Sequence, residues 1–211
     1  MQMLNPLVRK TSAVVISVLI LGVAYYGNFL PMRKSQIFIA TMQGLRSIAS
    51  VSALTAAFAA PFDAPSPIGQ EELVRNSANV VLGVLRQTDN PQIISDLVGF
   101  IETAYQPLIA RGTGMSFEQN LYILGTLNEL AFVRTKDPKY FTASKNYYLQ
   151  GLALGPKRPQ FLYGMFDIYR IEGNLDGAKK ITDQILAQWP SDTRTQTTYN
   201  DFITKELTPA K

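Results

Sequence analysis

The residues of this sequence that could do chemistry are its carboxylates, because the chain contains no histidine and no cysteine. That composition excludes Ser-His-Asp and Cys-His nucleophilic catalysis, and it excludes metal or haem sites built on histidine or cysteine ligands. A carboxylate pair such as Glu129 and Asp167 could act as general acid and base. No nucleophile, phosphate-binding loop or calcium-binding loop accompanies the pair. We therefore expect no enzymatic activity, no metal and no cofactor.

The charge of the chain is modest and dispersed. Its 211 residues carry a formal net charge of +4, and 46% of them are hydrophobic, which is enough for one domain and an appendage. Lysine and arginine are scattered rather than gathered into a stripe interleaved with aromatic residues. This pattern predicts that the protein does not bind nucleic acid.

An uncharged run extends from Thr11 to Leu30 near the N-terminus. At about 1.5 Å per residue in a helix, twenty residues match the ~30 Å hydrocarbon core of a bilayer. Tyr25 and Tyr26 lie towards one end, where aromatic rings favour the membrane interface. We predict an uncleaved single membrane span and assign residues 1–34 to the anchor and its flank. A cleaved signal peptide and a buried core helix are the alternatives.

Basic residues flank the run almost equally, with Arg9 and Lys10 on one side and Arg33 and Lys34 on the other. The positive-inside rule therefore discriminates weakly between the two orientations. A basic N-terminus before the first apolar segment favours a cytoplasmic N-terminus. We accordingly expect the rest of the chain to be extracytoplasmic.

Helical periodicity continues after the span, and no strand pattern persists. Residues 35–66 predict one long membrane-proximal helix or two, ended by the proline-rich stretch 61–67. Three signals for helix starts follow, which are Asn90-Pro91, Ser116 with Gln119, and Asp137-Pro138. The sequence predicts an all-α fold class, with short antiparallel helix pairs over residues 67–207.

An internal repeat lies in the second half of the chain. A shift of 34 residues places Ser144 on Ala178 and Pro156 on Pro190, and a shift of 41 places Tyr122 on Tyr163. The difference of seven residues is an insertion around "VRTKDPKYF". Small residues at 144 and 178 allow two helices to approach closely, and a proline cannot continue a helix.

A 34-residue helix–turn–helix period resembles the tetratricopeptide repeat (TPR) family, with the best units at 116–156 and 157–190. Gly173 then permits the tight turn between paired helices. The resemblance implies an α-solenoid whose concave surface is lined by the first helix of each unit. The positions that would face this groove are Gln119, Tyr122, Thr126, Glu129, Gln160, Tyr163, Asp167 and Arg170.

The repeated tyrosines, Tyr122 and Tyr163, allow two interpretations. Tyrosine offers a large and rigid contact area, so the two rings are candidates for a pair of partner contacts. Alternatively, both rings pack against neighbouring helices. The acidic and basic groove positions could equally form an ordinary solvated face.

A second resemblance rests on the order of segments and on "GQEELV" at residues 69–74. A span, a small-residue helix, this stretch and terminal repeats are similar to the carboxyl-terminal end of bacterial O-antigen ligase-like membrane proteins. In those proteins the last membrane helix leads into a helical tail. The resemblance carries over no catalytic residue, because no position here matches one.

These observations predict a membrane-anchored scaffold or adaptor at the cell envelope, tethered through residues 11–30. Its expected partner is a protein that places a peptide or helix in the groove, and the resemblances imply a role accessory to surface polysaccharide assembly. One alternative is a structural subunit of a larger membrane complex, favoured by the small-residue segment 47–60. The others are a truncated tail of a ligase-like glycosyltransferase and an envelope enzyme acting on lipid-linked sugar.

Overall fold

A computed structural model of the chain describes residues 5–45, 48, 50–114 and 116–207. All regular secondary structure in these ranges is helical, which confirms the predicted all-α class. The elements are α1 (Pro6–Ala24), a π-helical segment (Tyr25–Phe29), α2 (Leu30–Gly44), α3 (Val51–Asp63), α4 (Gln70–Leu85), α5 (Pro91–Arg111), α6 (Phe117–Thr135), α7 (Pro138–Leu154), α8 (Pro159–Ile171), α9 (Leu175–Gln188) and α10 (Thr193–Leu207). The chain divides into two compact units, Met1–Ser77 and Ala78–Lys211.

The first unit begins with one continuous helix of 39 residues, Pro6–Gly44, formed by α1, the π-helical segment and α2. Within the described part of the chain, this is the one helix long and apolar enough to cross a membrane. A signal sequence near the N-terminus meets the same criteria of length and hydropathy. The predicted span at residues 11–30 thus lies inside a longer helix, and its insertion into a bilayer stays a prediction.

The segment after the span forms two helices rather than one. The Ser50 side chain caps α3 by accepting a hydrogen bond from the Ala53 backbone N–H at 3.2 Å. Pro61 is buried within α3, which continues to Asp63. The helix thus ends within the proline-rich stretch 61–67, as expected, two residues after the first proline of that stretch. Two residues of the small-residue segment, 47 and 49, lie outside the described residues.

Lys34 ties the two ends of this helical hairpin together. Its ammonium group is buried and donates hydrogen bonds to the Ala64 carbonyl at 2.8 Å and to Gln70 Oε1 at 2.5 Å. Burial lowers the pKa of Lys34, and the nearby charge of Asp63 opposes that shift. The sequence placed Lys34 in the basic flank of the span, whereas the structure uses it to hold the chain beyond α3 against α2.

The second unit is a series of helices that pack against their neighbours in sequence from α5 to α10. The α6–α7 pair is antiparallel, because Phe132 meets Phe141 at 5.1 Å between ring centroids while Thr126, earlier in α6, meets Tyr148, later in α7. Helices α6 and α8 also touch, and run parallel. Tyr122 lies opposite Phe161, and an ion pair joins Glu118 and Arg158 one turn earlier.

Two of the three predicted helix starts are confirmed with their capping bonds. Asn90 accepts from Gln92 N–H at 3.0 Å, and Asp137 accepts from Lys139 N–H at 3.0 Å. Ser116 occupies the N-cap position of α6, but its side chain caps no backbone N–H. The capping box predicted there is therefore absent.

The residues that define the repeat occupy the positions expected of them. Ala178 and Ser144 are fully buried, and Gly173 adopts a left-handed φ of 66° between α8 and α9. Helices α7 and α9 end two residues before Pro156 and Pro190. These local features agree with the repeat pattern, while membership of the TPR family stays a prediction.

The Tyr148 ring of α7 lies between two glycines, Gly125 of α6 and Gly164 of α8. A Cβ atom at Gly164 would stand 2.7 Å from Tyr148 Cε2, and one at Gly125 would stand 2.6 Å from Cδ1. Both distances are far inside van der Waals contact. Helices α6, α7 and α8 can therefore approach one another closely here, because α6 and α8 have no side chain at the positions that meet the ring.

We predict that Gly164→Ala destabilises the protein by about 1–3 kcal/mol, because the new methyl group must displace the buried Tyr148 ring. The matched control is Gly99→Ala in α5, where an added Cβ meets no atom within 4 Å. This control should stabilise the protein by up to about 1 kcal/mol through the greater helix propensity of alanine. Denaturant unfolding of both variants measures the difference, and equal effects would contradict the tight packing around Tyr148.

Candidate functional site

The eight predicted groove residues come from two helices, and we call the surface that they contribute to the α6–α8 face. Four come from α6 and four from α8, and these two helices are parallel neighbours. None of the eight is fully buried. Gln119, Gln160 and Tyr163 are exposed, whereas Tyr122, Thr126, Glu129, Asp167 and Arg170 are half-buried.

The two repeated tyrosines have different surroundings. Tyr122 packs against the core, with its ring centroid 6.4 Å from those of both Tyr148 and Phe161. Tyr163 is 37% exposed, stacks on Trp189 at 6.2 Å, and donates a hydrogen bond to Asp192 Oδ2 at 2.7 Å. Packing against neighbouring helices therefore describes Tyr122 better, and Tyr163 is the ring presented to solvent.

Glu129 carries the most unusual electrostatics on this face. Tyr148 donates a hydrogen bond to its Oε2 at 2.6 Å, and Thr126 Oγ1 lies 3.3 Å from the same tyrosine oxygen. Burial raises the pKa of Glu129 to about 7; the Tyr148 hydrogen bond opposes this shift, and the charge of Asp167 adds to it. Its second carboxylate oxygen has no hydrogen-bond donor among the described residues. Glu129 is therefore part protonated and part ionised near neutral pH.

Asp167 and Arg170 form an ion pair on α8, with Arg170 Nη1 2.7 Å from Asp167 Oδ1. Burial raises the pKa of Asp167, and the Arg170 charge opposes that shift. The Nε atom of Arg170 is buried and has no acceptor in the described structure. The guanidinium also lies 5.4 Å above the centre of the Phe166 ring, a cation–π contact.

A cavity of about 700 Å³ brings Glu129, Asp167 and Arg170 together. The other lining residues lie at the end of α8, in the α8–α9 turn and in α10. They are Ile171, Glu172, Gly173, Asp201, Phe202, Lys205 and Glu206. A second cavity of about 430 Å³ adjoins Tyr163, Asp167 and Arg170. Four of the eight predicted residues thus line cavities, while Thr126 faces Tyr148 from α6.

Sequence reasoning missed the contribution of α10. Asp192 caps this helix by accepting from the Thr195 backbone N–H at 3.0 Å, and Thr195 and Phe202 are buried seven residues apart. A spacing of seven residues places both side chains on one face of a helix. That amphipathic pattern, with an aspartate before the first threonine, was the signal that could have identified α10.

Comparison with protein-family models, curated proteins and solved structures gives no match to this chain. Among the described residues, no group of three or more acidic side chains is placed to hold a metal ion.

We predict that Glu129→Gln becomes more stabilising relative to the native protein as pH rises. The pKa of Glu129 is higher in the folded state than in the unfolded state. Between about pH 4.5 and pH 7 the unfolded chain therefore ionises first, and the native protein loses stability as the pH rises. A shift of this size corresponds to about 3 kcal/mol at most. Gln accepts the same Tyr148 hydrogen bond without a charge.

Unfolding of both proteins between pH 4 and pH 8 measures this difference in stability. Asp183→Asn is the matched control, because Asp183 is an exposed carboxylate 2.6 Å from Lys179 and surface pairs contribute little. A stability difference between Glu129→Gln and the native protein that stays constant with pH would contradict the raised pKa.

Proposed function

We propose that this protein is a membrane-anchored adaptor that holds a segment of a partner protein on the α6–α8 face, at the cell envelope. The observation that carries this proposal is the 700 Å³ cavity, because it joins three predicted groove residues to a wall formed by α10. A concave, charged and partly open surface of this size suits a peptide or a helix more than a small apolar ligand.

The packing of the helices supports a short solenoid of TPR-like pairs. Each helix from α5 onward contacts the next, and the parallel contact of α6 with α8 relates the first helices of two successive pairs. Buried Ser144 and Ala178 stand at equivalent positions in α7 and α9. Stacked pairs of this kind present one side of their first helices to a common groove.

The anchor is the apolar part of the helix Pro6–Gly44. Its side chains are exposed along almost the whole of α1, including Val15 at 52% and Leu19 at 62%. Exposed apolar side chains on every face of a helix are stable in hydrocarbon and costly in water. A structural subunit of a larger complex and a ligase-like tail are the alternatives to this function. The extracytoplasmic location of the rest of the chain stays a prediction.

We expect the combined change Val15→Arg and Leu19→Arg to release the protein from membranes, because each arginine at mid-span costs about 2.5–3.5 kcal/mol. The matched control replaces two exposed leucines of α7, Leu149→Arg and Leu154→Arg, and should leave membrane association unchanged. Alkaline extraction followed by sedimentation measures both. Retention of the first variant in the membrane pellet would contradict the assigned span.

The partner surface is tested by photo-crosslinking in cells that make the full chain. A photoreactive phenylalanine analogue at Tyr163 should give a discrete adduct, and the same analogue at exposed Leu149 on α7 should not. Adding Asp201→Lys, in the cavity wall, should reduce the Tyr163 adduct to about a tenth, as expected for a contact worth ~1.4 kcal/mol. Equal adducts from positions 163 and 149 would rule out the α6–α8 face as the partner site.

A further inference from the structure

The cavity beside Glu129 carries an excess of negative charge in a chain whose net charge is +4. Two of its carboxylates are already neutralised, since Asp167 pairs with Arg170 and Glu172 pairs with Lys145 at 2.5 Å. The remaining lining carboxylates are Glu129, Asp201 and Glu206, and the remaining lining cation is Lys205. The lining therefore has more negative than positive charge left to pair with a cationic group of another molecule.

We propose that this cavity receives a lysine or arginine side chain of the bound partner segment, which pairs with the free carboxylate oxygen of Glu129. This proposal rests on the partner-binding function proposed above, and it specifies that the partner segment carries a basic side chain. Charge complementarity supports it, because a half-buried carboxylate whose one hydrogen-bond donor among the described residues is a tyrosine gains most from a charged donor.

Proton release accompanies binding in this arrangement. Burial raises the pKa of Glu129 to about 7, so a cation that pairs with the carboxylate displaces a proton near neutral pH. The groups that face Glu129 are Tyr148 of α7, Asp167 and Arg170 of α8, Glu172 of the α8–α9 turn, and Asp201, Lys205 and Glu206 of α10. Binding of the cation requires ionised Glu129, and in the unbound protein the ionised fraction is about tenfold smaller at pH 6 than at pH 8. The affinity for the cation should therefore be about tenfold lower at pH 6.

The test uses the full chain in lipid nanodiscs, labelled with ¹³C at glutamate carboxyl carbons. Nα-acetylargininamide, called argininamide below, is the probe, and Nα-acetylcitrullinamide, called citrullinamide below, is its neutral isostere. Acetylation removes the α-amino group, which would otherwise titrate over the same pH range. Argininamide should bind at least about tenfold more tightly than citrullinamide, in keeping with one charge-assisted pair, and should lower the titration midpoint of the Glu129 signal. Its affinity should fall about tenfold from pH 8 to pH 6.

Three variants keep the outcome decisive. Glu129→Gln should abolish the pH dependence, whereas Asp183→Asn should retain it. Tyr148→Phe keeps the buried ring but removes the donor that lowers the pKa of Glu129, so the pH at which argininamide binding is half-maximal should move upward.

Equal binding of argininamide and citrullinamide, or no binding of either, would overturn the basic side-chain site. A shift of the Glu129 signal by Ca²⁺ or Mg²⁺ in place of argininamide would overturn it too and would indicate a metal site. These results leave the crosslink at Tyr163 unaffected. That adduct, tested separately, decides whether the α6–α8 face binds a partner at all.

Discussion

The arrangement of the second unit depends on one aromatic ring, Tyr148, held between Gly125 and Gly164. Because neither glycine has a side chain, α6 and α8 can both press against the ring from α7. The close approach also fixes where the hydroxyl lies, 2.6 Å from Glu129. A packing requirement in the core thus determines the position and the environment of a charged group on the surface.

That environment is costly for the fold. Glu129 is a half-buried carboxylate, with a tyrosine hydroxyl as its only donor among the described residues and a second carboxylate, Asp167, nearby. A group of this kind destabilises the native state whenever it is ionised. A structural role would be served as well by glutamine. The position therefore makes most physical sense if a cation arrives from outside, because the cost in the free protein becomes affinity in the complex.

Sequence reasoning succeeded where the determining interaction is local. The caps at Asn90 and Asp137 and the left-handed turn at Gly173 follow from residues within one or two helical turns. The burial of Ala178 was expected instead from its alignment with Ser144 in the repeat. The sequence indicated that Glu129 lies on the surface but not that Tyr148 donates a hydrogen bond to it, because Tyr148 lies nineteen residues away on the other helix of the pair. It assigned Lys34 to the membrane flank for the same reason, since Gln70 and Ala64 are thirty or more residues distant.

The two tyrosines show why equivalent positions in a repeat need not be equivalent sites. Tyr122 belongs to the earlier pair, so the next pair follows it and Phe161 of α8 covers its ring. Tyr163 belongs to the pair α8–α9, which α10 follows in the described part of the chain. Its ring meets Trp189 and the Asp192 cap on one side and keeps more than a third of its surface open. Residues of α10 line cavities here together with Asp167 and Arg170.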